Sequence, residues 1–330
     1  EILRVYGYNN IKFSHKLNSS ISFNTNKEVT LENSIANQLT NLGFNETMAN
    51  SLTKEEYITF SENLKSEFNV TMLNPLSNEL KVMRQSLLFS GLESISYNIN
   101  RKNSSLKLYE FGKTYHKYEK GYQEDKHLTL FVSGAKTKDN WTHVSKNSDF
   151  FYLKGIVMSI LERIGVTNLK TSPVKSDLFS EGIVFSLGKN KLVEFGVINK
   201  RVLKEFGIKQ EVLFADFDWK SLNEISGKKK IKVSSLLKFP SVKRDLALLI
   251  DEKVTFKEIY NLSFQVERNL LKDVGLFDVY QGDKLPEGKK SYAVSFVLQD
   301  SNKTLKDTQI DKIMQKLQQS FEKNLEAVLR

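Results

Sequence analysis

The residue types that most often carry out catalysis or bind transition metals are scarce in this chain. Its 330 residues include no cysteine, which excludes disulfides, cysteine-ligated zinc, iron–sulfur clusters and thiol nucleophiles. None of the four histidines stands at HxH or HxxxH spacing, so a histidine-based metal centre is not expected. The histidines are His15, His116, His127 and His143.

One pair of carboxylates has a spacing that suits a cation. Asp216 and Asp218, in the sequence FADFDW, are two residues apart and therefore share one face of a predicted strand. Such a pair can hold Mg²⁺, but it also suits the exposed face of an edge strand, which we favour. Glycine-rich phosphate loops, the GxSxG elbow and the HExxH motif are absent. No nucleophile, base and orienting residue are recognisable together, so the residues alone predict a non-enzymatic chain.

The net charge favours a polyanionic partner. Lysine and arginine number 49 against 39 acidic residues, which gives a formal net charge of +10. The acidic residues are interleaved with the basic ones, which excludes a basic tail but makes nucleic acid a plausible partner. No apolar run reaches the roughly 18 residues of a membrane span, and no signal peptide is recognisable. We expect a cytoplasmic protein.

Strands and helices are mixed over residues 21–225, and strands outnumber helices. Amphipathic periodicity predicts helices over 27–43, 82–100 and 151–165. Residue alternation predicts strands at 56–60, 69–73, 106–118 and 127–134, and in the runs GIVFSLG, KLVEFGVI and EVLFADFDW. Short turns join them, so residues 21–225 are predicted to form one α+β domain around an antiparallel sheet.

The two ends of this predicted domain differ in composition from its interior. The segment EILRVYG (1–7) has the pattern of the last turns of a helix without an N-cap, so we expect it to be the end of a longer helix that has been cut. Residues 226–240 contain Gly227, Pro240 and the triplet Lys228 to Lys230, and are predicted to be a solvated linker.

The last domain, 241–330, has the most regular order of elements. Strands and helices alternate as β-α-β-β-α-β, which is the ferredoxin-like arrangement. The elements are predicted at 244–251 (strand), 256–271 (helix), 273–282 (strand), 291–300 (strand), 308–325 (helix) and 327–330 (strand). In this topology both helices cover one side of the sheet, and we call the other side the open face.

Alternation assigns side chains to the two faces of that sheet. The bulky sets are expected against the helices, together with Phe277 and Val279 of the second strand. The open face is then left with small residues, one acid and one aromatic: Ala247, Ser291, Ala293, Ser295, Asp278 and Tyr280. Basic residues that could supply charge nearby are Arg244, Lys289, Lys290 and Arg330. Such a face suits a splayed nucleobase, but it equally suits packing against another domain.

Several segments of the chain resemble one family in the same order. FPSVKRDLALLID (239–251), VGLFDVYQG (274–282), GKKSYAVSFVLQD (288–300) and TLKD (304–307) resemble the ferredoxin-fold anticodon-binding domain that ends the beta subunit of bacterial phenylalanine–tRNA ligase. LNPLSNELKVMRQSLL (73–88) and LKLYEFGKTY (106–115) are similar to its catalytic-like module, and EILRVYGYNNI (1–11) is similar to the end of the preceding small helical domain. The resemblance therefore implies that residues 1–20 are the tail of that domain.

The resemblance implies a class II aminoacyl-tRNA-synthetase-like antiparallel sheet for residues 21–225, without catalytic function. In this family the alpha subunit carries the active site of an ATP-dependent α₂β₂ ligase. Arg84 stands at a place similar to a motif-2 arginine, but the glycine-rich motif that grips ATP has no counterpart. Glu1 matches the last ligand of a Mg²⁺ site whose other ligands lie upstream. We therefore expect Mg²⁺ in the full-length subunit and none bound to this chain alone.

The resemblance also implies a role for the open face in binding the tRNA anticodon. We expect Tyr280 to stack on a base, Ser291 and the Ala247 backbone to line the base site, and Arg330 to reach a base edge or phosphate. Lys289 and Lys290 are expected at phosphates, and Arg244 is counted among the RNA-binding residues as a further source of positive charge. The implied partners are the alpha subunit and tRNA(Phe). Two alternatives are a self-sufficient class II ligase, opposed by the missing ATP motif, and a free-standing RNA-binding or regulatory protein built from the same modules.

Overall fold

The chain forms two compact units, Glu1–Lys230 (unit 1) and Ile231–Arg330 (unit 2). The computed structural model describes residues 1–12, 16, 19–20, 26–75, 77–142, 144–166, 169–226, 233, 236–282 and 285–329. Most of the predicted linker and Arg330 therefore lie outside the described residues. The finer domain bounds predicted above stay a prediction. No helix among the described residues is long and apolar enough to cross a membrane.

Unit 1 is built around a seven-stranded sheet. Its strands are ordered β1-β4-β5-β9-β8-β7-β6, and every neighbouring pair is antiparallel except β1 and β4. The elements in chain order are α1 (Ile2–Tyr6), α2 (Lys27–Asn41), β1 (Asn45–Glu46), β2 (Leu52–Thr53), β3 (Val82–Met83), α3 (Leu88–Ile99), β4 (Leu106–Tyr118), β5 (Gly121–Ser133), α4 (Phe150–Ile164), β6 (Lys170–Pro173), β7 (Phe179–Leu187), β8 (Asn190–Ile198), α5 (Lys200–Glu205), β9 (Val212–Asp218) and α6 (Trp219–Ser226).

Helices cover both faces of this sheet. Residues of α2, α4 and α6 share one apolar core with the sheet, and residues of α3 and α5 share a second. Local signals fix the helix ends. Asp149 caps α4 by accepting from the Tyr152 amide at 2.8 Å, and Gly165 ends it in the left-handed conformation that glycine tolerates best. The α+β class and the antiparallel sheet flanked by helices are thus confirmed.

Two predicted strands of unit 1 are wrong. Residues Glu55–Phe60 form a 3₁₀ helix, and within 69–73 only Thr71 pairs, in an isolated bridge. The spacing of the aromatic residues explains the first difference. Tyr57 and Phe60 are three residues apart, so a helical turn brings both rings against Phe89 and Phe206. A strand would have sent these two rings to opposite faces.

Unit 2 has the predicted β-α-β-β-α-β order. Its elements are β10 (Val242–Asp251), α7 (Phe256–Val266), β11 (Leu271–Tyr280), β12 (Lys289–Leu298), α8 (Asp307–Leu325) and β13 (Val328–Leu329). The strands form an antiparallel sheet in the order β11-β12-β10-β13. A capping box of Thr255 and Glu258 starts α7. The two helices share one core with one face of the sheet, which leaves the open face on the other side.

Candidate nucleic-acid interface

The strand register brings the predicted base-site residues of the open face together. Tyr280 stands directly opposite Ser291, and Ala247 stands opposite Ala293, one pleat further along β12. Residues opposite each other in an antiparallel pair share a face. Tyr280, Ser291, Ala293 and Ala247 therefore form one continuous patch, which we call the base platform.

Small side chains keep the platform shallow. Ser291 and Ser295 lie on the open face of the central strand β12, yet both are buried by their neighbours. The Ser295 hydroxyl donates to the Gly275 carbonyl at 3.3 Å, which ties β12 to β11. The floor is therefore flat, and the half-exposed Tyr280 forms its aromatic wall.

The chain that follows Tyr280 makes room for its ring. A Cβ built on Gly282 would lie 2.9 Å from the Tyr280 hydroxyl, so the tyrosine ring lies against this glycine. Any larger residue at 282 would have to displace the end of the ring. Gly282 therefore helps to set the orientation of Tyr280, which the sequence reasoning did not anticipate.

The predicted basic residues separate between the two faces. Lys289 stands opposite Asp251 in the strand register, on the open face. Lys290 points the other way: it is 7% exposed, its Nζ donates to the Glu252 carbonyl at 2.7 Å, and it lies 4.6 Å from the Tyr292 ring centroid. Strand alternation explains the difference, because adjacent residues occupy opposite faces. The expectation of Lys290 beside the open face is therefore wrong.

Arg244 also belongs to the helix side. It stands opposite Phe296, a core residue, and its Nη2 lies 3.3 Å from the Asp307 carboxylate at the start of α8. The expectation that Arg244 supplies charge to the open face is wrong for the same reason of alternation. Arg330 lies outside the described residues, so its expected contact stays a prediction.

Phe277 does not point into the core as expected. Leu276 pairs with Val294, and Asp278 pairs with the adjacent residue Ala293. Phe277 is therefore an extra residue in a β-bulge. Its side chain is 57% exposed. Val279 does stand opposite Tyr292 on the helix side, although it is half-exposed at the sheet edge.

Unit 1 also has a line of polar residues across its sheet. Glu110, Thr129, Asp216 and Glu194 are successive cross-strand partners on β4, β5, β9 and β8, and we call them the polar row. Glu110 is 1% exposed, and its Oε1 accepts from Arg84 Nη1 at 2.8 Å. Burial raises the pKa of Glu110, and the Arg84 guanidinium opposes that shift.

Arg84 is buried, and it forms an ion pair with Glu110 inside unit 1. It is 4% exposed, and its Nε donates to the Lys113 carbonyl at 3.0 Å. Its Nε and Nη1 groups therefore donate to protein acceptors. The guanidinium is a structural element of unit 1, in contrast to a residue that reaches out to a nucleotide.

A histidine joins the polar row to a threonine. His127 Nδ1 lies 2.7 Å from Asp216 Oδ1, and its Nε2 lies 3.1 Å from the Thr114 hydroxyl. Burial alone would lower the pKa of His127, but the carboxylates of Asp216, Asp218 and Asp125 together outweigh burial and raise it. The His127 charge in turn lowers the pKa of Asp216 against the effect of burial.

This hydroxyl–imidazole–carboxylate arrangement was not recognised in the sequence, because its members come from three strands. Thr114 is 3% exposed, so its hydroxyl is shielded from any substrate. The arrangement can hold a proton and fix the register of the strands, but it cannot present a nucleophile to solvent. The sequence predicted only the two strands that carry Thr114 and His127. Their register in the structure, with Gly112 opposite His127, was not predicted.

Asp216 and Asp218 do not lie on an edge strand as favoured above. Strand β9 lies in the middle of the sheet, between β5 and β8. Asp218 accepts from the Ser221 amide at 3.0 Å and from its hydroxyl at 2.6 Å, which caps the start of α6. The two carboxylates therefore have different protein partners, His127 for the first and Ser221 for the second.

Comparison with known proteins assigns both units. The family described as "Phenylalanyl tRNA synthetase beta chain CLM domain" matches residues 17–219, and "Ferredoxin-fold anticodon binding domain" matches residues 238–330. The chain belongs to the phenylalanyl-tRNA synthetase beta-chain family. The two matches follow each other in the order that the resemblance implied.

Curated relatives in this family match the whole chain. They are named phenylalanine–tRNA ligase beta subunit, and the chain is 46% identical to that of Bacteroides thetaiotaomicron, 44% to that of Bacteroides fragilis and 39% to that of Porphyromonas gingivalis. In each case the alignment covers 100% of this chain and 42% of the relative. The chain thus spans less than half the length of these relatives. A free-standing regulatory protein is not favoured by these matches.

The residue that the resemblance implies as a magnesium ligand is Glu1, at the start of α1. Glu1 is exposed, and its side chain makes no capping hydrogen bond at the start of α1. Among the described residues, no group of three histidine or acidic side chains is arranged to hold a metal ion. One carboxylate does not make a Mg²⁺ site, so the described residues do not fit the ion.

Proposed function

We propose that this chain works as part of a phenylalanine–tRNA ligase beta subunit in the cytoplasm, and that unit 2 reads the anticodon of tRNA(Phe). The whole assembly would join phenylalanine to its tRNA at the expense of ATP, with Mg²⁺ as a cofactor of the full-length protein and an alpha subunit supplying the catalytic residues. The observation that carries the proposal is the base platform. A flat floor beside an exposed aromatic ring fits a base that has been turned out of its stack.

Each residue of the platform has a separate task in this proposal. The Tyr280 ring offers a π-face to a base, which is a sequence-tolerant attraction. Ser291 and the backbone at Ala247 would contact the edge of that base, where recognition of its identity resides. Lys289 would meet a backbone phosphate, which positions the RNA without selecting a sequence.

Unit 1 would serve as the scaffold that contacts the alpha subunit. Apolar side chains on and before α4 support this role, because Trp141, Val144 and Phe151 are largely exposed. Co-purification with the alpha subunit, in parallel with a Trp141→Ser/Phe151→Ser variant, tests the scaffold. A complex that survives both substitutions would place the interface on another part of unit 1.

Titration with RNA tests the anticodon role. The chain is titrated with tRNA(Phe) and with an unrelated tRNA at two salt concentrations, beside a Tyr280→Ala variant. Tyr260→Ala is a matched control, since this tyrosine is similarly exposed but lies on α7. We expect Tyr280→Ala to weaken tRNA(Phe) binding about tenfold, the size of one lost base stack, and the control to bind normally.

The salt series separates recognition from simple charge attraction. Phosphate contacts make affinity fall steeply with salt and apply to every tRNA. Equal, salt-sensitive binding of both tRNAs, unchanged by Tyr280→Ala, would overturn the anticodon role. The open face would then be a packing surface, and the chain would retain only its scaffold role.

A further inference from the structure

The β-bulge of β11 exposes a second aromatic ring in unit 2. Phe277 has no partner on β12, because its two neighbours pair with consecutive residues of that strand. The bulge lies next to the pair of Asp278 and Ala293, which belongs to the open face. With 57% of its surface exposed, the phenyl ring of Phe277 is more accessible than Tyr280. The core of unit 2 does not use this ring.

A lysine of the open face reaches the same ring. Lys243 alternates with Arg244 on β10, so its side chain leaves the sheet on the open side. Its Nζ lies 5.4 Å from the centroid of the Phe277 ring, within cation–π range. This contact spans two strand spacings and places the Phe277 ring at the open face. Lys243 remains more than half exposed, with Asp245 4.0 Å from its Nζ.

The spacing of the two aromatic residues suits neighbouring nucleotides. Phe277 and Tyr280 are three residues apart on one strand, a separation of at most about 10 Å along a regular strand. Four-stranded sheets that bind single-stranded RNA commonly stack two or three bases on aromatic side chains of one face. A cation beside such a ring can also hold the phosphate that links the two nucleotides.

From this geometry we propose that Phe277 and Lys243 form a second stacking site, for the nucleotide next to the one on Tyr280. The proposal rests on the anticodon role of unit 2 and names a further residue pair of the same site. Phe277 would stack on a base of the single-stranded loop. Lys243 would turn from the ring to the adjoining phosphate, a small movement for a long and exposed side chain.

Substitutions that keep an apolar side chain at position 277 test the stacking site. Phe277→Leu removes the π-face but retains an apolar side chain, and Phe277→Trp retains the π-face. Val279→Ala is the control, because Val279 is exposed on the same edge strand but belongs to the helix side. Binding of labelled tRNA(Phe) is followed by fluorescence anisotropy for the whole chain, and thermal unfolding checks that each variant is folded.

We expect Phe277→Leu to weaken binding about tenfold with an unchanged salt slope, because stacking releases no counterions. Phe277→Trp and Val279→Ala should bind like the unaltered chain. Lys243→Gln should lower the salt slope by about 0.7, the value of one phosphate on a single strand. These results together would support the second site.

The failure of this inference differs from the failure of the anticodon role. If Tyr280→Ala weakens binding but Phe277→Leu matches Val279→Ala, the second site is overturned and the first stands. If Phe277→Leu and Phe277→Trp weaken binding equally, the ring acts only through the shape of the bulge, which also overturns the second site. If neither Tyr280→Ala nor Phe277→Leu changes binding, both proposals fail.

Discussion

The two sheets of this chain use polar residues in opposite ways. In unit 1 the polar row lies on a sheet that helices cover on both faces, and its charges have partners inside the protein, such as Arg84 for Glu110 and His127 for Asp216. In unit 2 both helices cover the same face, and the open face presents Tyr280, Phe277 and Lys289 toward solvent.

This difference explains which unit has a surface for a ligand. The Arg84–Glu110 pair is buried with both partners inside the protein, so these charges do not face a ligand. An aromatic ring on the uncovered face of a sheet is partly exposed to solvent, where a base can stack on it. Residue type is therefore a poor guide to function in this chain, and the number of covered faces of the sheet is a better one.

Breaking the Arg84–Glu110 pair should have the largest effect on unit 1. Arg84→Met leaves the Glu110 carboxylate buried without its partner, which should lower the free energy of unfolding by about 3–5 kcal/mol. Urea unfolding followed by tryptophan fluorescence measures this loss, since the fully buried Trp219 belongs to the same unit.

A double variant sharpens this test of the comparison. Adding Glu110→Gln removes the unpaired charge and should recover part of the lost stability. A loss below about 1 kcal/mol for Arg84→Met alone would instead put the pair among weak surface ion pairs. The polar row would then not differ in kind from the charges of the open face.

The His127–Asp216 pair should give a smaller effect that depends on pH. The folded pKa of His127 is raised above its unfolded value of about 6.5. The stability that the charged His127 contributes to the folded chain is therefore fully present below the unfolded pKa. It is lost as the pH rises through the folded pKa. Asp216→Asn should lower the free energy of unfolding by about 1–3 kcal/mol near pH 6, and by less at higher pH.

Urea midpoints measured between pH 5 and 9 would test this dependence. Asp125→Asn is a suitable control, because Asp125 contributes least among the carboxylates that raise the pKa of His127 and makes no hydrogen bond that contributes to this shift. The same cost for Asp216→Asn at every pH would show that the imidazole is neutral in the folded chain. The polar row would then be held by neutral hydrogen bonds.

Local sequence signals were enough to predict most of the fold. In unit 2 each element has its own periodicity and is bounded by turn residues such as Pro286 and Gly288, so the order of elements followed directly. The failures at 56–60 and 69–73 have another origin. There the chain is organised by contacts with distant rings, such as those of Tyr57 with Phe206, which no local pattern contains.

The candidate site was predictable only as far as alternation holds. Tyr280, Ser291 and Ala247 were placed correctly, since the bulky residues between them mark the core side. The bulge at Phe277 inserts one residue and interrupts the alternation, and a bulge is a property of strand pairing that one strand does not reveal. The contact of His127 with Asp216 joins residues 89 positions apart, which is equally invisible locally.

Two adjacent lysines give the smallest and most direct test of the comparison. Both were expected at phosphates, yet alternation puts Lys289 on the open face and Lys290 among core residues. One phosphate contact on a single strand makes binding about fivefold tighter at 0.1 M salt than at 1 M salt. Lys289→Ala should therefore weaken tRNA(Phe) binding by about that factor and leave stability unchanged.

Lys290→Met should show the reverse pattern. It removes a hydrogen bond to the Glu252 carbonyl and a cation beside the Tyr292 ring, so it should lower the free energy of unfolding by about 1 kcal/mol. It should not change the salt dependence of RNA binding, because the Lys290 amine faces the helix side. If Lys290→Met lowered the salt slope as Lys289→Ala does, the RNA would have to contact both faces of the sheet, and the division between a covered face and a binding face would fail for unit 2.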